Sequence, residues 1–95
     1  MSNKFTTKMI GDLSNEINNP NNAILLDAEI MRKVWEKIIP LLDERLSHSG
    51  DFMVGECNYS ELRQEMIKAP DRIIRNSHKI KNIVFGVCAL MIKAD

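Results

Sequence analysis

A chain of 95 residues, 44% apolar with only five aromatics, has room for one domain and excludes a large enzyme with its own nucleotide-binding fold. Thirteen basic side chains balance thirteen acidic ones, and neither half departs from neutrality by more than one charge. A general nucleic-acid binder, which needs a clear basic excess, is excluded as well.

The first element in chain order is a long helix over about residues 6–47. Ile10, Leu13, Ile17, Ile24, Met31, Trp35, Ile38 and Leu42 recur at steps of three, four or seven. Such a period marks an apolar seam sustained over several heptads. Leu25, Leu26, Val34, Ile39, Leu41 and Leu46 widen it, and Pro20 and Ala28 fall on or beside it. Each proline deletes one helical hydrogen bond, yet the period runs in phase through Pro20 and Pro40, so both read as kinks and not ends.

An irregular connector over 48–58 follows. Gly50 suits the end of the first helix. Asn58, with Glu61 three residues on, reads as a reciprocal cap for a short helix over about 59–68. Pro70 and Asp71 suit the first turn of a second long helix over about 70–92. Its seam is Ile73, Ser77, Ile80, Val84, Val87 and Met91, flanked by Ile74, Ile83 and Leu90. The expected fold is all-α, one domain over 1–95: a long helical hairpin that dimerises into a four-helix bundle, because a lone hairpin leaves one face of each helix uncovered.

Residues 12–22 read DLSNEINNPNN. Asp12, Asn15, Asn19 and Asn22 form one polar stripe on the outer face, with Glu16 beside it. Asparagine competes with the helical backbone, so four of them at 18, 19, 21 and 22, plus a proline, weaken the helix. A local violation of this kind often marks a functional segment.

The run Leu13 to Asn22 resembles the H-box of sensor histidine kinases, whose pattern reads S-H-E-I-N-N-P-x-N. Ser14, Glu16, Ile17, Asn18, Asn19, Pro20 and Asn22 fit that pattern. Asn15 stands where the family has its phosphoacceptor histidine. Ala23-Ile24-Leu25-Leu26 continues the family's first dimerisation helix. Gly50-Asp51-Phe52 and Tyr59-Ser60-Glu61-Leu62-Arg63 resemble a subgroup with a long inter-helix insert, and Ile80-Lys81-Asn82-Ile83-Val84 resembles the second helix, where the family often reads R-I-x-x-I-V. The resemblance spans roughly residues 10–84.

The resemblance implies a homodimeric four-helix bundle that docks a response-regulator receiver or a partner kinase in two-component signalling. It implies that Glu16 matches the acid beside the acceptor, Asn19 the Asn/Thr that positions groups for phosphotransfer or a water for phosphatase action, and Pro20 the helix kink. Asn15 cannot accept a phosphoryl group, because amide resonance ties up its nitrogen lone pair. After Val84 the sequence departs from the family's charged stretch, and no ATP-binding motif is seen. No cofactor is therefore expected for this chain, since ATP would need a separate domain, and the chain alone is expected to be catalytically inactive. Two alternatives stand beside this reading: a receiver phosphatase using Asn19 and Glu16, and a plain helical interaction protein or truncated remnant.

Other features carry less. His48 and His78 read as solvated histidines, and His48 with Cys57 is too sparse for a zinc site, so no metal is expected. Arg72, Arg75, Lys79 and Lys81 form a basic, solvated face. Cys57 and Cys88 form no CxxC pair and are too few for a disulfide scaffold. The N-terminal stretch lacks the apolar core of a signal peptide. The longest uncharged apolar-rich run, Ile83 to Ile92, has ten residues, against the ~20 needed to span a membrane. A cytoplasmic protein without membrane or nucleic-acid contact is expected.

Overall fold

The computed structural model describes residues 4–94; residues 1–3 and 95, part of the single-domain reading, lie outside it. Two helices make nearly all of it: α1, Lys4–Ser49, and α2, Tyr59–Ala94. Between them lie β1, Met53–Val54, and β2, Cys57–Asn58, paired antiparallel as a minimal hairpin. The helices fold back on each other into a rod of 70 × 19 × 17 Å. At 1.5 Å per residue, a helix of 46 residues spans about 69 Å, so α1 sets the length of the molecule.

The helical hairpin is as expected, but its boundaries and its seam differ. Helix α1 runs through Pro20 and Pro40. The short helix 59–68 and the helix 70–92 are one element, with Pro70 inside α2. Pro70 is among the most deeply buried side chains. Its ring packs in the seam, the apolar period continues on both sides, and the Arg72–Glu65 ion pair of 2.7 Å bridges the site. The lost backbone bond and the ring's clash with the preceding turn cost about 3 kcal/mol, which the buried packing of the ring offsets.

The seam itself is rotated by about one position from the expected one. Ile10, Trp35 and Leu42 face α2 as expected, but their companions are Asn21, Leu25, Ala28, Ile39 and Leu46. Leu13, Ile17, Ile24, Met31 and Ile38, expected at the centre of the seam, are exposed, with Leu13 at 58% and Ile24 at 51%. Helix α2 repeats the pattern. Ser77 and Val84 are buried, whereas Ile80, Val87 and Met91 are exposed. Each helix therefore carries two parallel heptad stripes, and α1 and α2 use only one of each against each other. The buried apolar set is small: Ile10, Ala28, Ile39, Tyr59 and Val84.

The connector is built by specific contacts. Gly50 ends α1 with φ +79°, a conformation that costs a residue with a Cβ about 1–2 kcal/mol, and its N–H donates to the Leu46 carbonyl at 3.1 Å. Gly55 at φ +64° opens the two-residue hairpin turn, the position where a II′ turn takes glycine. The N-terminus of α2 is capped from across the hairpin. Asp51 Oδ1 accepts the Ser60 amide at 3.2 Å and the Phe52 amide at 2.9 Å, and Asp51 Oδ2 accepts the Ser60 hydroxyl. The expected cap at Asn58 and Glu61 is thus replaced by Asp51, which the hairpin folds back onto the helix start.

Candidate functional site

The inner stripe of α1 is held at the box by a polar contact. Asn21 is buried, and its Nδ2 donates to the Ser77 carbonyl at 2.9 Å. The Ser77 hydroxyl is 3.0 Å from Asn21 Oδ1 and 3.3 Å from the Asn21 carbonyl. Asn18 also turns inward. Its Nδ2 donates to Ser14 Oγ at 3.3 Å, while its buried Oδ1 has no partner. Of the four asparagines that weaken this helix, Asn21 links the helix pair, Asn18 is half-buried and bonded within α1, and Asn19 and Asn22 face solvent.

With Asn21 pinned inward, the residues on the far side of α1 are fixed by helical geometry. Asn15, Asp12 and Asn19 stand about 120–180° around the helix from Asn21, and all three are exposed, as are Glu16, Pro20 and Asn22. The structure therefore brings Asp12, Asn15, Glu16 and Asn19 together on one solvent-facing patch two turns long. Pro20 has no N–H to give the Glu16 carbonyl, so the patch holds one further acceptor. Chemically it offers carboxylates, carboxamides and a free carbonyl. It can dock and orient a polar partner, and it contains no histidine, cysteine or serine that faces solvent.

Beside this patch lies an apolar groove of about 560 Å³ between the first turns of α1 and the last turns of α2. Leu13 and Ile17 form one wall and Ile83 and Val87 the other, with Asp12 and Glu16 at the margin. These four apolar residues belong to the unpaired stripes of the two helices, so both stripes open on the same side of the hairpin.

The other titratable clusters lie away from the box. At the tip, Asp43 takes a two-point contact from Arg63, Nε to Oδ1 at 2.8 Å and a terminal nitrogen to Oδ2 at 2.9 Å, and a hydrogen bond from the Tyr59 hydroxyl at 2.7 Å. Arg63, and then Tyr59, hold the Asp43 carboxyl below its ordinary pKa. Burial, then the Asp43 contact, pushes the Tyr59 phenol up. Phe52 stacks on Tyr59 with centroids 4.9 Å apart, and Arg45 lies 4.5 Å over the Phe52 ring. This knot fastens the two helices beside the connector; Asp43 lies 16 and 20 residues from its partners, so no local sequence signal announces it.

Among the described residues, no group of three or more His, Cys, Asp or Glu side chains is placed to hold a metal ion. His48 and His78 are exposed, with His48 4.0 Å from Glu44. Arg72, Arg75, Lys79 and Lys81 are exposed, and Arg72 is paired with Glu65. Cys57 and Cys88 are free thiols. No helix among the described residues is long and apolar enough to cross a membrane. Comparison with models of protein families, with curated proteins and with solved structures found no match.

Proposed function

We propose that the chain is a dimerisation and receiver-docking domain of the sensor histidine kinase type, degenerate at its phosphoacceptor position. The observation that carries this is the placement of Asp12, Asn15, Glu16 and Asn19 on one exposed patch of a long helix, with unpaired apolar stripes opening beside it. The stripes seat a second copy and form a four-helix bundle. The patch meets the receiver. Asn15 keeps the reach and hydrogen-bonding capacity for docking, and its carboxamide cannot take a phosphoryl group. ATP chemistry would have to come from a separate domain, so the chain by itself does no catalysis.

The test restores the missing group. Asn15→His, incubated with ATP and a histidine kinase ATP-binding domain in trans, should acquire acid-labile phosphate. Absence of label on a folded variant would remove the assignment of this patch.

A second reading gives the patch a phosphatase role. Glu16 and Asn19 stand one turn apart and both face solvent, a spacing that lets a carboxylate and a carboxamide hold one water. Receiver dephosphorylation that is unchanged by Asn19→Ala would dismiss it. A plain helical interaction protein, the third class, would bind its partners equally well after Asn15→Arg, whereas receiver docking would be lost.

A further inference from the structure

The unpaired stripe of α1 runs Leu13, Ile17, Pro20, Ile24, Asp27, Met31, Val34, Ile38 and Leu41. It steps by four and three throughout, which is a heptad seam. Asp27 is its one ionisable member and sits at its midpoint. The unpaired stripe of α2 runs Ile73, Asn76, Ile80, Ile83, Val87 and Leu90 at the same steps. Its one polar member is Asn76. Asp27 and Asn76 are both exposed.

The two lie at nearly the same level of the rod. Asn21 is hydrogen-bonded to Ser77, and Trp35 and Ile67 line one groove. Between those two levels, the position opposite Asp27 falls near Ile73. Asn76 is within one helical turn of it, about 5.4 Å.

From this coincidence we infer that Asp27 and Asn76 form a polar layer within the self-association interface that fixes its register. The inference rests on the dimer reading above. The occupant is a second copy of this chain, on two grounds. The stripes are self-complementary in period and open on one side of the hairpin, as Leu13, Ile17, Ile83 and Val87 around a single groove demonstrate. The area is also right. The α1 stripe of 28 steps is about 42 Å long and the α2 stripe of 17 steps about 26 Å; with each helix taking half of a rod 19 Å wide, they cover roughly 650 Å² per copy, within the range of specific interfaces. With no net charge on the chain, two copies approach without overall repulsion.

When the two-fold axis lies along the rod, each layer meets its own level in the other copy. The Asp27 carboxylate then meets the Asn76 amide of the partner subunit, which can donate to it. A slip of one heptad, about 10.5 Å, would set that carboxylate among Ile, Leu and Val, where a buried charge without a partner is strongly disfavoured. An antiparallel arrangement carries the same penalty unless its axis passes through this layer. A single polar layer that fixes register at a cost in stability is a known device of helical bundles.

Sedimentation equilibrium on the intact chain, its Asp27→Leu/Asn76→Leu variant and a Lys33→Leu control tests this. Lys33 is exposed on the outer face, off both stripes. The wild type should be dimeric. The double variant should associate at least about tenfold more tightly, as replacement of a buried polar group by an apolar one allows, and should add species larger than the dimer. Lys33→Leu should match the wild type. A wild type that is monomeric at tens of micromolar overturns the dimer itself. A dimeric wild type with a double variant that is unchanged or weakened overturns the polar layer alone. Equal tightening by Lys33→Leu also overturns it, since added apolar surface would then explain the effect.

Discussion

The contact between Asn21 and Ser77 is the only described hydrogen-bonded polar link between the two helices at the level of residues 12–22, and its removal has a calculable consequence. Asn21→Ala deletes two interactions, the 2.9 Å bond to the Ser77 carbonyl and the 3.0 Å bond from the Ser77 hydroxyl. At about 1 kcal/mol each, with a further loss for the side-chain volume removed, the cost is about 2–3 kcal/mol. Ser77→Ala removes the hydroxyl, with its 3.0 Å bond to Asn21 Oδ1 and its 3.3 Å contact to the Asn21 carbonyl, and costs about 1 kcal/mol. In the double variant that bond is counted once, so the coupling energy is about 1 kcal/mol. Urea denaturation followed by circular dichroism, at one fixed protein concentration, measures all four proteins. Additive effects, with coupling below about 0.3 kcal/mol, would refute the claim that these two side chains hold the box-bearing turn of α1 against α2.

Charge placed in the unpaired stripe should prevent self-association without unfolding the helix. Ile24→Glu/Ile38→Glu should sediment as a monomer and keep its far-ultraviolet helical signal. The tip knot should make stability acid-sensitive. Asp43 has a lowered folded-state pKa, because Arg63 and then Tyr59 favour its ionised form. Its contribution is therefore present above the ordinary carboxylate range and disappears as pH falls through about 4 and below. Thermal melts from pH 7 to pH 2.5 should show a shallower acid decline for Asp43→Asn than for the wild type, and a lower melting temperature at pH 7. Gly50→Ala forces a Cβ into the left-handed region at φ +79° and should lower stability by about 1–2 kcal/mol, measurable in the same urea titration.

The hairpin of long helices is readable from heptad periodicity alone, and so is the exposed stripe of Asp12, Asn15 and Asn19, since both follow from spacing. The seam is misread for a physical reason. The most regular apolar series, Leu13, Ile17, Ile24, Met31 and Ile38, lies one position from a second series in which Asn21 and Ala28 take places that apolar periodicity does not score. The helices close on that second series because Ala28 and Pro70 are small and compact and Asn21 finds Ser77. Periodicity locates both stripes, but which one meets α2 depends on pairing across 56 residues. Pro70 misleads in the same way. Proline at a helix start and proline buried within a helix look alike until the apolar period on both sides is weighed. The cap by Asp51 and the knot of Asp43, Tyr59 and Arg63 depend on how the β-hairpin folds back, which has no signature in either helix. The proposed reading of Asn15 as a substituted acceptor rests on likeness of residues 13–22 to a known motif; the structure adds that the position is exposed and that Glu16 and Asn19 share its face.

On the proposed function, the patch of Asp12, Asn15, Glu16 and Asn19 docks a receiver domain. The most direct measurement is a titration of isotope-labelled chain with receiver domains from the source genome, followed by amide NMR. At least one receiver should shift the resonances of residues 12–22, and Asn15→Arg should abolish those shifts while the helical signal is kept. Receivers that leave residues 12–22 unmoved, or that move only the hairpin tip around Phe52 and Tyr59, would contradict receiver docking at this patch.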